Sequence, residues 1–281
     1  MEIIKDSFLK PTLKFYNGRT SKRMCVIYEG TKYMLRIPTS QEIEDPRFLT
    51  VGQANIVYNE IAKLVVGKKT ENVKEVRFGD NAIITSMCRD FEFDTTGRFY
   101  TLSQILGSTC GKAGCRTSLD KLVAFIEDFT QSTGDERLAF SFIYSMLIDY
   151  LTLNKYRSLD GMGVLVLHNA FIQEAPIFGG AQSFCARLNK SSVRTLVRED
   201  QIKHRVLSTD NVYLSESVFI RSESFIRLLR RSLTMDTFDQ LTKDNIYRKL
   251  DSYLWLDHFS IEFIAEVVTT AVEAITNKIY L

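Results

Sequence analysis

The segment 138–151 constrains the fold more than any other part of the chain, because its apolar residues recur in adjacent pairs every four positions. The repeating residues are Leu138, Ala139, Phe142, Ile143, Met146, Leu147, Tyr150 and Leu151. This spacing is that of one face of an α-helix, and a helix so apolar is expected to run through the centre of a domain, behind Asp135 as its N-cap. Asp149 interrupts the run, which is also shorter than the about 20 apolar residues that a membrane-spanning helix needs.

Charge and composition exclude several classes of protein. The chain has 281 residues, with 36 Lys and Arg against 34 Asp and Glu, so its net charge of +2 lacks the strongly basic balance of a dedicated DNA-binding module. Hydrophobic residues (45%) and charged residues (25%) are in the range of a soluble globular protein rather than a disordered one. The N-terminal residues lack the order of a signal peptide, and five scattered cysteines favour a reducing compartment, so we expect a cytoplasmic protein.

The N-terminal third of the chain is predicted to be rich in β-structure, with one helix. Residues 24–28 and 32–37 alternate as strands do, and Gly30 between them marks a hairpin. Apolar residues then recur at helical spacing up to Gly67, which is placed to end that helix. A second hairpin is predicted within residues 73–87.

After residue 90 the pattern becomes mainly helical. An apolar stripe follows Thr117 and Asp120, which resemble a capping box, and it ends at Gly134. The remaining predicted elements are strands at 163–167 and 171–174 and helices at 224–233, 238–254 and 261–280. These patterns predict an α+β protein with a small β-rich N-lobe (1–90) and a larger helical C-lobe (91–281).

Two motifs carry less chemistry than their residues first suggest. The segment 107–113 resembles a phosphate-binding loop, but only three residues separate its glycines, and Ala113 stands where such a loop needs Ser or Thr. We therefore predict a surface loop there. Cys110 and Cys115 have no second pair that would complete a zinc site, so we expect free cysteines and no metal site.

Four arginines fall in one predicted helical region, at positions 221, 227, 230 and 231. A solvated helix face is the expected interpretation. The alternative is a patch that binds phosphate or an acidic partner, because a few arginines on one face can bind anions.

Arg36 and Glu60 are more informative as a pair. A basic residue in a strand, followed by an acidic residue in the next helix, is the layout with which kinases hold the phosphates of ATP. Taken alone, the two residues could equally be exposed charges on separate elements, because surface charges are common.

With these residues in place, the chain resembles the HipA-like serine/threonine kinases, especially their compact single-chain members, over roughly residues 15–184. In the N-lobe, Tyr33-Met34-Leu35-Arg36-Ile37 is similar to the strand that carries the family's ATP lysine. Tyr58-Asn59-Glu60-Ile61-Ala62 is similar to the helix that supplies its glutamate partner. Met87-Cys88-Arg89-Asp90-Phe91 is similar to the connector between the lobes.

In the C-lobe, residues 149–163 are similar to the family's central helix and catalytic loop. Ala175-Pro176-Ile177-Phe178-Gly179-Gly180 is similar to its metal-binding segment, which reads Ala-Pro-Ile-Phe-Asp. The resemblance thus implies a two-lobed, protein-kinase-like fold, with a relation to toxin–antitoxin kinases.

The departures from the family pattern decide the expected activity. Arg36 stands where the family has its ATP lysine, and Tyr156 stands where it has the catalytic Asp. Gly161 and Gly179 stand where it has the metal-binding Asn and the metal-binding Asp. The glycine-rich turn is reduced to Tyr16-Asn17-Gly18-Arg19, whereas Glu60 is kept. Because phosphoryl transfer depends on positioning and on charge neutralisation by magnesium, these losses should leave little transfer activity.

The resemblance therefore implies a degenerate member, a pseudokinase that acts as a protein-binding or regulatory module. Its vestigial nucleotide cleft would be formed by Arg36, Glu60, Met87 and Arg89. No cofactor is required, although ATP could still bind without productive magnesium. The expected partner is a protein, either a regulator or an active kinase, with no membrane association and no direct contact with nucleic acid.

Two alternatives stay open. Asp160 lies one residue before the expected metal-binding position, so a shift of one residue would give an active, atypical Ser/Thr kinase that uses Asp160. Its ordinary interpretation is a turn residue before Gly161. The second alternative is a helical interaction protein without a nucleotide cleft, which a wide separation of Arg36 from Glu60 would favour.

Overall fold

The structure is a computed structural model that describes residues 3–16, 22–44, 47–80, 83–92, 96–107, 117–168, 172–186, 188–210, 214–215 and 219–280. Several expectations lie outside these residues: the turn at Asn17, Gly18 and Arg19, most of the loop 107–113, and Cys110 with Cys115.

A six-stranded sheet forms the N-terminal part of the molecule. Its strands are β1 (Ile4–Lys5), β2 (Lys10–Tyr16), β3 (Arg23–Tyr28), β4 (Thr31–Arg36), β5 (Val73–Phe78) and β6 (Ile83–Arg89). They are arranged in the order β1-β5-β6-β4-β3-β2, so β2 is an edge strand. The two predicted hairpins are confirmed: β3 pairs with β4 and β5 with β6, both antiparallel, and Gly30 has the positive φ of 75° that a tight turn requires.

The two faces of this sheet have different coverings, because strand side chains alternate. One face carries a cluster of buried apolar residues that the N-terminal segment covers: Ile4, Leu9, Val26, Tyr33, Leu35, Val76 and Met87. The other face carries Cys25, Arg36 and Cys88 and packs against the helix Val51–Val66. That helix begins with a capping box of Thr50 and Gln53 and ends at Gly67, as predicted.

The rest of the described chain is mainly helical. The helices are α1 (Ser40–Glu44), α2 (Val51–Val66), α3 (Leu102–Ile105), α4 (Leu119–Thr133), α5 (Arg137–Leu151), α6 (Lys190–Arg198), α7 (Ile202–Leu207), α8 (Glu223–Ser232), α9 (Lys243–Leu250) and α10 (His258–Tyr280). Short strands complete it: β7 (Arg98–Thr101), β9 (Gly163–Val166) and β10 (Ile172–Glu174) in one sheet, and β8 (Thr117–Ser118) with β11 (Leu214–Ser215) in another.

Helix α5 is the central helix that its pattern predicts, and eleven of its fifteen residues are buried. Two capping predictions are wrong. The N-cap of α4 is Ser118, whose side chain accepts from the Lys121 N–H, rather than Thr117. The residue before α5 is Glu136, while Asp135 instead accepts from the Arg137 N–H at 2.9 Å. Each shift is one residue, because neighbouring polar residues compete for the same free N–H groups.

One large hydrophobic cluster joins the two parts of the molecule. It includes Ile56, Val57 and Ile61 of α2 together with residues of α4, α5, α8 and α10. The strands of the large sheet end at Arg89; the division into lobes at residue 90 stays a prediction. None of the helices in the described part of the chain has the length and apolarity that a bilayer crossing requires.

Candidate functional site: two buried charge clusters

Arg36 lies at the end of β4, on the sheet face that packs against α2. It is 2% exposed, and its cross-strand partner is Arg23, so two guanidinium groups lie side by side. Arg36 and burial together lower the pKa of Arg23 to about 10. Two adjacent cations inside a protein repel each other, which indicates that this region is arranged for a negative charge.

The acidic neighbour of these arginines is Glu71, which follows α2 and is 3% exposed. Burial raises the pKa of the Glu71 carboxyl, and a hydrogen bond with Cys88 and the charges of Arg36 and Arg23 oppose that rise. Cys88 also accepts from the Asn55 side-chain amide at 3.4 Å. We refer to Arg23, Arg36, Asn55, Glu71 and Cys88 as the sheet-side cluster.

Several buried polar atoms of the sheet-side cluster have no hydrogen-bond partner among the described residues, including one acceptor, Oδ1 of Asn55. Nε and Nη1 of Arg36 and Nε of Arg23 are buried without a hydrogen-bond partner in the described part of the chain. The side-chain amide nitrogen of Asn59, on the same helix as Asn55, is also buried without a hydrogen-bond partner among these residues. Buried donors without acceptors are unfavourable, so these groups are suited to an anion or to ordered water.

The structure does not bring Glu60 to Arg36. Glu60 forms ion pairs with Lys63 at 2.6 Å and with Lys249 at 3.1 Å, on the side of α2 that faces α9. The expected pair of Arg36 and Glu60 is not formed, and Glu71 is the carboxylate near Arg36 instead. The reason is helical geometry: Asn55 points toward the sheet, and a residue five positions further along a helix points to another side. By itself, this separation of Arg36 from Glu60 is the observation that favours a helical interaction protein without a nucleotide cleft.

A second buried charge cluster surrounds Arg157, directly after the predicted catalytic position Tyr156. Arg157 is 4% exposed and pairs with the fully buried Asp149 through two bonds, from Nε at 2.6 Å and from Nη2 at 2.8 Å. Nη2 also donates to the Tyr58 hydroxyl at 2.6 Å. Nη1 donates to the carbonyl oxygens of Gly161 and Phe178. All five N–H groups of the guanidinium thus have acceptors.

Asn154 completes this arrangement. Its side-chain amide donates to Asp149 at 2.7 Å and, at 3.4 Å, to the Gly179 carbonyl. We refer to Tyr58, Asp149, Asn154 and Arg157 as the loop-side cluster. Burial by itself would lower the pKa of Arg157, but Asp149 and Tyr58 raise it above its ordinary value, so the guanidinium stays protonated. Burial also raises the pKa of the Tyr58 hydroxyl, which stays neutral.

The glycines at the degenerate positions lie against Arg157. A Cβ at Gly179 would lie 2.9 Å from Nη1 of Arg157, and one at Gly161 would lie 3.4 Å from the same atom. Gly179 also has a φ of +97°, in the region that favours glycine. The Arg157 guanidinium therefore occupies the space beside both positions where the resemblance expects metal-binding side chains.

The two clusters are connected through the backbone before β5. The Glu71 N–H donates to the Ile177 carbonyl at 2.9 Å, and the Ile177 N–H donates to the Lys69 carbonyl at 2.9 Å. The charge of Glu71 also contributes to the raised pKa of Arg157 and of Tyr58. Arg36, Glu71, Arg157 and Gly179 accordingly belong to one continuous region between the large sheet and the segment 156–161.

The other predicted residues lie at different places. Met87 packs in the apolar cluster on the opposite face of the sheet, and Arg89 is exposed at the end of β6. Asp160 is exposed in the short 3-10 turn Leu159–Gly161, and Tyr156 is half-buried beside Arg157. Among the described residues, no group of three or more His, Cys, Asp or Glu side chains is placed to hold a metal ion.

Comparison with known proteins addresses the fold. No protein-family model matches the chain, and no curated protein matches it in sequence. Among solved structures, the chain is similar to the proinflammatory kinase CtkA of Helicobacter pylori, with a TM-score of 0.76 and 16% identity over 99% of this chain and 98% of that chain. The chain therefore has a kinase-like α+β fold, with a curled β-sheet N-lobe and a helical C-lobe, and the fold prediction is confirmed.

Proposed function

We propose that this protein is a HipA-like pseudokinase: it retains a phosphate-binding cluster under the sheet, lacks phosphotransfer activity, and acts as a protein-binding module. The observation that carries the proposal is the saturated guanidinium of Arg157 beside Gly161 and Gly179. Gly161 and Gly179 stand where the resemblance expects the oxygen ligands of magnesium, neither has a side-chain oxygen, and the Arg157 guanidinium lies beside both.

The residues present do not fit a magnesium ion. Gly161 and Gly179 have no side-chain oxygen, and the Gly161 carbonyl already accepts from Arg157. Asp149, a buried carboxylate nearby, accepts from both Arg157 and Asn154. A divalent cation here would add positive charge next to the protonated guanidinium of Arg157, which is unfavourable.

Two features of the sheet-side cluster support binding of the phosphates of a nucleotide. Arg36 and Arg23 have buried nitrogens without an acceptor among the described residues, and guanidinium groups bind phosphate oxygens in pairs. An anion there would also relieve the repulsion that lowers the pKa of Arg23. We therefore expect ATP to bind without magnesium.

Titration calorimetry of ATP in the presence of EDTA tests this part of the proposal. Arg36→Met should weaken binding at least about tenfold, because it removes charge-assisted hydrogen bonds. Arg198→Met is the matched control, since the Arg198 side chain is 77% exposed, and it should bind ATP as the unchanged protein does. Equal affinities for the unchanged protein and Arg36→Met would contradict a phosphate site at Arg36.

The alternative, an atypical kinase that uses Asp160, makes a different prediction. Asp160 is exposed one residue before Gly161, and a rearranged loop would have to bring its carboxylate to a metal. Radiolabel transfer from ATP to the protein itself or to a generic substrate should be absent at any magnesium concentration under our proposal. Transfer that is present and is abolished by Asp160→Ala would establish the alternative.

A surface on the sheet supports a protein partner. The edge strand β2 and the turn before it expose Phe8 (66%), Leu13 (98%) and Phe15 (63%). In the described part of the chain β2 pairs with β3 on one side, so its other edge can accept a further strand. We propose that the partner is a protein that adds a strand to β2 and covers these side chains.

Leu13→Lys with Phe15→Lys tests the partner surface. The double variant should lose capture of the same protein that the unchanged chain captures from its native source, with an unchanged melting temperature. Leu254→Lys is the control, because Leu254 is 92% exposed but lies in the turn after α9. Capture that survives the double variant, or is lost in the control, would contradict this assignment.

A further inference from the structure

A basic pocket of about 480 Å³ lies in the C-lobe, between the start of α8 and the end of α10. Four basic side chains line it: Arg221, Arg227, Arg230 and Lys278. Glu223 is the one acidic residue among its lining residues. The chain as a whole carries a net charge of +2, so this pocket concentrates positive charge that the overall composition does not reveal.

Arg230 is held in place by the backbone of α10. Its Nε donates to the Ile279 carbonyl at 2.7 Å and its Nη2 donates to the Lys278 carbonyl at 3.2 Å. A guanidinium has five N–H groups, so these two bonds orient it and leave further donors for a ligand. Arg231, by contrast, pairs with Glu127 at 3.2 Å and does not line this pocket.

Arg221 and Arg227 are exposed, and neither forms a hydrogen bond or an ion pair within the described residues. Arg227 also acts electrostatically on Asp120. The pKa of Asp120 is lowered mainly by hydrogen bonds from Ser224 and Ser222 and, to a smaller extent, by the charge of Arg227. Asp120 is thus engaged by two hydroxyl groups rather than by a guanidinium. Within the described part of the chain, no ion pair neutralises the four basic side chains that line the pocket.

From this geometry we infer that the pocket binds a phosphomonoester group, carried either by a phosphorylated side chain or by a small phosphorylated compound. The charge is gathered around one compact cavity, which suits a group with close to two negative charges and three acceptor oxygens. A phosphodiester strand carries one charge per phosphate and requires a basic groove that follows its length. A cavity of 480 Å³ is also within the range of small-ligand pockets.

Titration calorimetry with acetyl-Gly-phosphoserine-Gly-amide tests the inference, with inorganic phosphate and the unphosphorylated peptide in parallel. The phosphopeptide should bind with a dissociation constant of about 1 mM or tighter, and the unphosphorylated peptide should not bind. Arg221→Gln with Arg227→Gln should weaken binding at least about tenfold. Arg198→Gln with Lys203→Gln makes the same charge change on exposed residues elsewhere, and it should leave binding unchanged.

Each outcome decides the question. Phosphopeptide binding stronger than that of inorganic phosphate indicates a phosphorylated side chain as the source, and equal binding indicates a small phosphorylated compound. Binding of a ten-nucleotide oligothymidylate instead of the phosphopeptide would overturn the inference in favour of a general polyanion surface. Absence of phosphomonoester binding, or equal binding by both double variants, would also overturn it. Because Arg36→Met leaves this pocket intact, failure here is distinguishable from failure of the proposed function.

Discussion

The two buried clusters use arginine in opposite ways. In the loop-side cluster, every N–H group of Arg157 has an acceptor, and Asp149 balances its charge. In the sheet-side cluster, Arg36 and Arg23 share one nearby carboxylate, Glu71, and three of their nitrogens have no acceptor among the residues that the structure describes. The guanidinium of the first cluster is saturated without a ligand, although Oδ1 of Asn154 beside it has no hydrogen-bond partner among the described residues, whereas the guanidinium groups of the second cluster keep nitrogens without an acceptor there.

This difference separates a structural role from a binding role. A saturated buried ion pair holds segments together, because removing one partner leaves the other charge buried and lowers the free energy of unfolding. A cluster with surplus donors is unfavourable by itself and becomes favourable when an anion is added. We therefore expect substitutions in the loop-side cluster to affect stability and substitutions in the sheet-side cluster to affect ligand binding.

The largest effect is expected for Arg157→Met. This change leaves the Asp149 carboxylate buried without its partner, which should lower the free energy of unfolding by about 3–5 kcal/mol. Urea denaturation measures it, with Arg198→Met expected to lie within about 0.5 kcal/mol of the unchanged protein. A loss below about 1 kcal/mol would show that the loop-side cluster is not the structural element we describe.

Gly180→Ala should produce the next largest effect. A Cβ there would lie 1.9 Å from Cγ of the buried Tyr58, so the ring or the segment must move, at a cost of about 2–3 kcal/mol. Gly161→Ala is the comparison, because its Cβ would be 3.4 Å from Nη1 of Arg157, close to ordinary van der Waals contact, and should cost less than about 1 kcal/mol. Similar melting temperatures for the two variants would argue against close packing of Tyr58 on this segment.

Arg23→Met should stabilise the ligand-free protein. It removes a partly buried cation that repels Arg36, so we expect a gain of about 1 kcal/mol in the free energy of unfolding together with weaker ATP binding. Lys22→Met is the control, because it makes the same kind of change at an exposed residue. We expect it to change neither the free energy of unfolding nor the affinity for ATP. Destabilisation by Arg23→Met would mean that Arg23 has a structural role, as Arg157 does.

The smallest expected effect is a pH dependence of that gain. The pKa of Arg23 is about 10 in the fold, against an ordinary value of 12.5. Between these values the unfolded chain binds more protons than the folded one, so the Arg23 contribution to stability rises with pH. The advantage of Arg23→Met over the unchanged protein should therefore shrink as the pH rises from about 10 toward 12.5. A constant difference over that range would contradict the lowered pKa.

Local patterns predicted much of the fold. Helix α5 and the two hairpins follow from spacing and from turn residues such as Gly30, because neighbouring residues determine these elements. The N-caps of α4 and α5 were displaced by one residue, since adjacent polar residues can serve the same N–H groups. The phosphate-like segment 107–113 cannot be scored, because most of it lies outside the described residues.

The sequence located Arg36 but not its charge partner. Residues 54–62 of α2 are buried on all sides of the helix, so the apolar pattern does not show which side meets the sheet. Glu71 does not belong to any recognisable sequence motif. Its backbone is hydrogen-bonded to Ile177, which is distant in the chain, so local patterns do not place it near Arg36. The acceptors of Arg157 likewise come from segments far apart in the chain, which local patterns do not relate. The register of the hairpin places Arg23 opposite Arg36. This pairing of two arginines was the one feature of the sequence that could have indicated a charge cluster here.

The most direct test of our central claim is the stabilisation of the protein by ATP, measured with excess EDTA and with excess magnesium. With excess EDTA and ATP at one hundred times the dissociation constant measured there, we expect a gain of about 2.7 kcal/mol in the free energy of unfolding. At the same ATP concentration with excess magnesium the gain should be smaller, because magnesium binds the phosphates of ATP in solution and the loop-side cluster leaves no place for the metal. Stabilisation that appears only with magnesium would contradict the account.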